Sequence, residues 1–236
     1  MRRHCFTFLA STILSFGLGQ IANAADMPIK APRMPIAVSY NWTGFYVGAN
    51  GGYGWGYSNW MDDPALGGSA LGSHPTGGGL VGGQIGFNWQ FSEWVAGVEA
   101  DIDWANLTGS HIDPALHDIH TKTTAVGTIA ARFGYTWDRS LAYFKGGAAW
   151  GRFSYDDFVT LGGALNGSGS STSWGYTLGG GYEYAFAPNW SAKIEYSYMD
   201  FGSRNVSFNG GVAGAYVQGI TDRVQAVKVG VNYRFR

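Results

Sequence analysis

The end of the chain constrains the fold more than any other stretch. Between residues 227 and 235, apolar and polar residues alternate strictly. One side carries Val227, Val229, Val231, Tyr233 and Phe235. The other side carries Lys228, Gly230, Asn232 and Arg234. A period of two predicts a β-strand, because successive side chains of a strand point to opposite faces. An apolar side that ends in aromatic residues, opposite a charged side, is typical of the segments that build a transmembrane barrel.

The same alternation recurs along the whole chain. The preceding predicted strands are Gly44–Tyr57, Gly79–Phe91, Trp94–Leu107, Lys122–Trp137, Leu141–Phe153, Ser173–Ala187 and Trp190–Phe201. Long and short connections alternate between them, which is typical of outer-membrane barrels with short periplasmic turns and longer extracellular loops. The sequence therefore predicts an all-β fold, an eight-stranded antiparallel up-and-down transmembrane β-barrel with both termini on the periplasmic side.

The composition argues against a soluble globule. Aromatic residues make up 16% of the chain and charged residues only 13%, about half of the roughly 25% that is usual for soluble domains. A soluble barrel or sandwich would need a second layer to cover its aromatic faces, and the sequence encodes none. The formal net charge of −1 gives no indication of nucleic-acid binding.

The start of the chain has the pattern of an export signal. Arg2 and Arg3 precede an apolar run, and Ala22-Asn23-Ala24 forms a cleavage pattern. The predicted domains are a signal peptide over 1–24, a proline-rich periplasmic linker over 25–41 and the barrel over 42–236. Cleavage would remove Cys5, the single cysteine, so the mature chain would have neither a disulfide nor a thiol nucleophile.

The inward side of the predicted barrel carries balanced charge. Its acidic residues are Glu99, Asp101, Asp103, Glu183 and Glu195. Its basic residues are Arg132, Lys145, Lys193, Lys228 and Arg234. Isolated buried charges are costly, so we expect them to pair. An eight-stranded barrel is just wide enough for side chains to fill it, which favours a salt-bridged plug. A narrow path for ions or small solutes is the alternative, because many inward glycines leave room.

The outward side carries large aromatic residues at both ends of an apolar band. Such aromatic girdles mark the two membrane interfaces. The predicted girdle consists of Trp89, Trp94, Trp104, Trp137, Trp150, Trp174, Trp190, Tyr233 and Phe235.

The histidines of the mature chain all lie in predicted loops, and no local motif joins one to a nucleophile and an acid. The sequence therefore predicts no enzyme and no cofactor. His111, His117 and His120, with Asp113 and Asp118 nearby, have side chains suited to a metal or haem. Their spacing matches no closed zinc motif, so no metal site is predicted and ligand binding stays a speculative alternative.

Three segments carry a family resemblance. They are NWTGFYVGANGGYG from Asn41, the stretch Trp94–Trp104, and the closing VKVGVNYRF. Together they resemble the small outer-membrane surface-antigen proteins of alphaproteobacteria, in the OmpA-like and opacity-like porin superfamily. The resemblance implies an eight-stranded barrel in a Gram-negative outer membrane, with antigenic loops and no defined catalytic residues. Members usually end on the aromatic residue, whereas here Arg236 follows Phe235, a departure from the family's assembly signal.

The leading functional hypothesis is a structural, surface-exposed outer-membrane protein that supports envelope integrity. A narrow porin-like channel is one alternative, and loop-mediated binding of haem, metal or host molecules is another. The expected partners are outer-membrane lipids, lipopolysaccharide and the barrel assembly machinery.

Overall fold

The computed structural model describes residues 40–62, 67–113, 117–160 and 162–235. The predicted signal peptide, all but the last two residues of the linker, and Arg236 lie outside these ranges. The eight strands are β1 (Gly44–Met61), β2 (Ala70–Phe91), β3 (Trp94–Ile112), β4 (His117–Trp137), β5 (Ser140–Val159), β6 (Leu165–Tyr184), β7 (Trp190–Phe208) and β8 (Tyr216–Arg234). Each pairs antiparallel with its sequence neighbour in a closed barrel, which confirms the predicted fold class.

The last strand closes the barrel against the first. Tyr46 of β1 pairs with Arg234 of β8, and the register continues to Met61 and Gly219. On its other edge β8 pairs with β7 from Trp190 onward. Closure joins the two edge strands, as a sheet surrounded by lipid requires. Toward the loop end the pairing between β6 and β7 stops at Tyr176 and Asp200, and one isolated bridge joins Ser168 to Asn209. No helix long and apolar enough to cross a membrane occurs in the described part of the chain.

One end of the barrel has tight turns and the other has longer connections. The turn end contains the turns at 92–93 and 138–139, and the link between β6 and β7. The loop end contains the connections that follow β1, β3, β5 and β7. In outer-membrane barrels the short turns are periplasmic, so the loop end is the extracellular one.

The strands extend further toward the loop end than the sequence analysis predicted. β2 begins at Ala70 instead of Gly79, β6 begins at Leu165 instead of Ser173, and β7 runs to Phe208 instead of Phe201. In these extensions the outward residues meet water and are polar, so the apolar side that marks a strand in lipid is missing. Each extension nevertheless stays paired along one edge: β2 with β1, β6 with β5, and β7 with β8. The predicted loops were therefore too long.

The outer wall of the barrel is apolar. Phe144 is 81% exposed and Val229 is 59% exposed, and such large apolar surfaces mark contact with a partner or a membrane. Seven of the nine predicted girdle residues are among the exposed large hydrophobic side chains. The other two, Trp150 and Tyr233, are half-buried. Trp150 covers Gly127 of the neighbouring strand, and Tyr233 packs against Trp190 and Phe235.

The interior of the barrel has three layers. At the turn end, a plug consists of Tyr40, Trp42, Val95, Leu141, Tyr143 and Ala185. The charged residues occupy the middle. Toward the loop end lies an apolar core of fifteen buried residues, which includes Trp60, Phe153, Tyr155, Phe201 and Phe208. The sequence analysis did not predict this core.

Candidate functional site

The lumen is filled at mid-height by charged side chains. All ten residues of the predicted lumen charge network are buried. The alternation explains this position, since Glu99, Asp101 and Asp103 occupy every second place on β3 and therefore point the same way. At the centre, Glu99 lies 3.2 Å from Arg132, Lys145 and Lys193, which come from three different strands.

The remaining charges also meet opposite partners. The Nζ of Lys228 lies 2.9 Å from a carboxylate oxygen of both Asp101 and Asp103. The Nζ of Lys145 lies 2.7 Å from Oε1 of Glu195, and Arg132 donates to Glu183 over 2.8 Å. The structure thus gives each of the ten charges at least one partner of opposite sign.

Two tyrosines join the charge network, and the sequence analysis did not include them. The hydroxyl of Tyr46 donates to Glu99 over 2.8 Å and accepts from Arg132 over 2.9 Å. The hydroxyl of Tyr143 donates to Glu195 over 2.8 Å. The available signal was their place in the alternation, because Tyr143 lies two residues from the inward Lys145.

Two inward glycines of this layer are covered by tyrosine side chains. Tyr46 lies across Gly86, and a methyl group placed on Gly181 would lie 2.6 Å from the hydroxyl oxygen of Tyr143. The space at each of these two glycines is therefore occupied by an aromatic side chain from another strand. Glycine at these two positions permits the tyrosines to reach the carboxylates.

The turn end is closed by a stacked pair. The guanidinium of Arg234 lies 5.0 Å from the ring centre of Trp42 and donates a hydrogen bond to the Trp42 carbonyl oxygen. Trp42 is fully buried. A cation over an indole face is a favourable contact. Trp42, the first residue of the predicted barrel domain, therefore covers the lumen at this end.

A second buried ion pair lies in the apolar core. Arg204 donates to Asp222 over 2.6 Å, and Asp222 also accepts from the hydroxyls of Tyr155 and Ser58. Burial and the neighbouring Asp222 carboxylate raise the pKa of Tyr155, so its hydroxyl stays protonated and donates. Arg204 follows the predicted end of the strand at Phe201 and therefore falls in a predicted loop, so the sequence pattern does not indicate this pair.

The histidines lie on strands rather than in loops, which corrects the sequence analysis. His74 is on β2, His111 is on β3, and His117 and His120 are on β4. Their positions follow from the longer strands, since each belongs to an extension beyond the apolar band.

The three histidines proposed as ligands do not converge. The Nδ1 of His111 lies 2.7 Å from the Nδ1 of His74, His117 faces Asp157, and His120 pairs with Asp118 on the outer wall. Within the described residues no three His, Cys, Asp or Glu side chains are close enough to hold a metal ion. Burial and the neighbouring His111 lower the pKa of His74 to about 4.

Comparisons with known proteins agree with this architecture. The family model described as an outer membrane protein beta-barrel domain matches residues 11–235. The 31 kDa outer-membrane immunogenic protein of Brucella melitensis is 36% identical over 235 residues, covering 91% of this chain and 93% of that protein. The 22 kDa outer membrane protein of Rhizobium leguminosarum is 28% identical, covering 87% and 83%.

A solved structure shows the same fold. The outer membrane protein OprG of Pseudomonas aeruginosa superimposes with a TM-score of 0.50 at 15% identity, over 83% of this chain and 99% of that one. The relatives place the chain in the outer membrane of a Gram-negative bacterium as a surface-exposed structural barrel. The chain belongs to the family of outer membrane protein beta-barrel domains.

Proposed function

We propose that this barrel is a non-conducting, non-catalytic element of the outer membrane that strengthens the envelope and presents its loops outward. The observation that carries the proposal is the ion pair between Lys193 and Glu99, which joins opposite walls of the barrel. Above and below this pair the lumen is filled by the apolar core and by the turn-end plug. A filled interior favours rigidity over passage.

The environment of the histidines supports a role without catalysis. His117 lies beside Asp157, and His120 lies beside Asp118. Among the described residues, neither imidazole has a serine or threonine hydroxyl within hydrogen-bond distance. A base that activates a hydroxyl nucleophile needs such a contact.

Deletion of the gene in the source bacterium tests the structural role. We expect the deletion strain to be more sensitive to detergent and to EDTA, and we expect the wild-type gene to restore resistance. Complementation with Val229→Arg, which disturbs the lipid-facing wall, should restore less. Unchanged sensitivity of the deletion strain would contradict an envelope role.

A liposome-swelling assay separates this proposal from the channel alternative. Vesicles that contain the refolded barrel should swell in small sugars no faster than empty vesicles. A large porin serves as the positive control. Swelling above the rate of empty vesicles would support the narrow channel instead.

Lipopolysaccharide phosphate is the partner that the outer wall fits best. Lys122 and Arg152 are exposed and form no ion pair with a described residue. Ala125 of β4 pairs with Trp104 of β3 on one side and with Arg152 of β5 on the other. Arg152 therefore lies at the same height as Trp104, a residue of the aromatic girdle. Basic side chains at this level suit anionic headgroups.

Replacing both basic residues with alanine tests this contact. The double variant should retain less lipopolysaccharide during purification than the wild type, while Arg139→Ala at the turn end should retain the same amount. Equal retention by all three proteins would exclude Lys122 and Arg152 as contacts for lipopolysaccharide.

For the assembly machinery, β8 is the segment that we propose as the contact, because it closes the barrel.

A further inference from the structure

Two buried carboxylates among the described residues have no lysine or arginine partner. Eight aspartate and glutamate side chains are buried in the described residues. Six of them lie within ion-pair distance of a lysine or arginine: Glu99, Asp101, Asp103, Glu183, Glu195 and Asp222. The other two, Asp113 and Asp157, are 5% and 1% exposed and have no such partner within the described part of the chain. A buried charge without compensation is unfavourable, so this exception calls for a cause.

The two carboxylates line one cavity at the loop end. The cavity has a volume of about 290 Å³, and its wall also includes His117, Asn166 and Gln218. No lysine or arginine occurs among the described residues that line it. It lies at the loop end, which is the extracellular one, and its size suits a ligand of a few heavy atoms.

Two buried oxygen atoms of the cavity wall accept no hydrogen bond. One oxygen of Asp157, Oδ2, accepts from Asn166 and from the hydroxyl of Tyr216, each over 2.7 Å. The other, Oδ1, has no hydrogen-bond donor, and neither does the amide oxygen Oε1 of Gln218, a side chain that is 7% exposed. Both acceptors are buried beside the same cavity.

His117 does not remove this excess of acceptors. Its Nδ1 lies 3.2 Å from both carboxylate oxygens of Asp157 and 3.3 Å from Nδ2 of Asn166. A neutral imidazole supplies at most one proton here. With the proton on Nε2, Nδ1 accepts from Asn166 and donates nothing to Asp157; with the proton on Nδ1, one donor faces two unpaired acceptors. Burial and the Asp157 carboxylate raise the pKa of Tyr216, so this hydroxyl is a donor already used at Oδ2.

The missing group is a cationic donor. A metal ion fits poorly, because no three His, Cys, Asp or Glu side chains of the described residues converge. Ammonium and guanidinium groups carry several N–H donors and positive charge together, and they form strong hydrogen bonds to carboxylates. We propose that this cavity binds a small organic cation through a primary ammonium or guanidinium group, held by Asp157, Asp113 and Gln218. This inference is independent of whether the lumen conducts.

Titration with putrescine, a four-carbon diamine, tests the site. The refolded full-length barrel in detergent micelles is titrated while the backbone amide signals of β5 and β8 are followed by NMR. We expect saturable binding of putrescine and none of butane-1,4-diol, which has the same length and no charge. Asp157→Asn should weaken binding by about tenfold or more, as loss of a charged hydrogen bond implies.

The adjacent residue provides a matched control. Asp156 precedes Asp157 on β5 and lies on the opposite side of the strand, so Asp156→Asn makes the same charge change outside the cavity. The affinity of the Asp156→Asn variant for putrescine should stay within about twofold of the wild type, since distant surface charges are screened by salt. Heat-modifiable migration in gels confirms that each variant is folded. If Asp157→Asn does not fold, Asp113→Asn serves as the second variant and should also weaken binding.

A second titration distinguishes a lysine side chain from a free polyamine as the source of the cation. Nα-acetyl-lysine methylamide represents a lysine side chain of a surface protein, and putrescine represents a free polyamine. Tighter binding of either one supports the site and assigns its ligand. The absence of saturable binding by both would overturn the proposal, as would equal losses in Asp156→Asn and Asp157→Asn. Tighter, Asp157-dependent binding of calcium chloride would replace it with a metal site.

Discussion

The Nζ of Lys193 lies 3.2 Å from Oε2 of Glu99, although their strands, β7 and β3, lie opposite each other in the ring. This direct contact spans the lumen between opposite walls at mid-height. An eight-stranded barrel has the diameter at which two long side chains can meet. In a wider barrel such charged residues line a water-filled channel. In this narrower barrel they reach one another across the lumen.

Replacing Glu99 with glutamine should destabilise the barrel strongly. The substitution leaves Arg132, Lys145 and Lys193 without their shared carboxylate. Breaking a buried ion pair on one side costs about 3–5 kcal/mol. The measurement is the free energy of unfolding in urea, in lipid vesicles. Glu93→Gln in an exposed turn is the control, and equal effects of the two substitutions would show that the central contacts contribute little.

Val229→Arg tests the assignment of the outer wall. Val229 is exposed on the apolar band of β8, and arginine at the bilayer midplane costs about 2–4 kcal/mol in a transmembrane barrel. Urea unfolding in vesicles measures the difference. Val212→Arg makes the same change in the connection after β7, where the side chain meets water, and should leave the stability nearly unchanged. If Val229→Arg is equally harmless, the wall does not face lipid.

The His74–His111 pair should make stability depend on pH. The pKa of His74 lies near 4 in the folded barrel, below its ordinary value of 6.5. Between these values the unfolded chain binds more protons, so stability falls as the pH decreases through this window, by at most about 3 kcal/mol. His74→Gln should flatten the fall, measured as unfolding free energy at pH 7, 5.5 and 4.

The control for this pH series is Ser73→Gln, at an exposed position of the same strand. It should keep the full pH dependence of the wild type. A wild-type profile that His74→Gln does not alter would assign the dependence to other groups.

The strands within the membrane could be predicted from the sequence because lipid imposes one rule on every strand. Residues such as Phe144 and Val229 face hydrocarbon while Lys145 and Lys228 face the lumen, and this contrast recurs in the membrane part of the strands. Closure and the inward position of the charges follow from the same alternation and from the even number of strands.

In the strand extensions beyond the membrane, the polar residues face outward and the apolar residues face inward. On β5, the polar residues Arg152 and Ser154 face outward at and beyond the aromatic girdle, while Phe153 and Tyr155 face inward into the apolar core. A rule that expects apolar residues outside cannot recognise such a segment as a strand. The histidines and Arg204 were therefore assigned to loops, and the apolar core and the loop-end cavity were missed.

The partners of the lumen charges could not be predicted from the sequence either. Alternation shows which face a residue lies on but not which residue it meets across the barrel. Lys193 reaches Glu99 on the opposite wall. Lys228 of β8 meets Asp101 and Asp103 of β3, a strand that is not paired with β8. These contacts depend on the stagger of the strands, which a single sequence does not specify.

Single-channel recording of the refolded mature chain in a planar lipid bilayer tests the central claim most directly. A lumen closed by the Lys193–Glu99 pair predicts a current that does not differ from that of the bare bilayer. Reproducible current steps from the wild-type barrel, absent from mock-refolded samples, would contradict it.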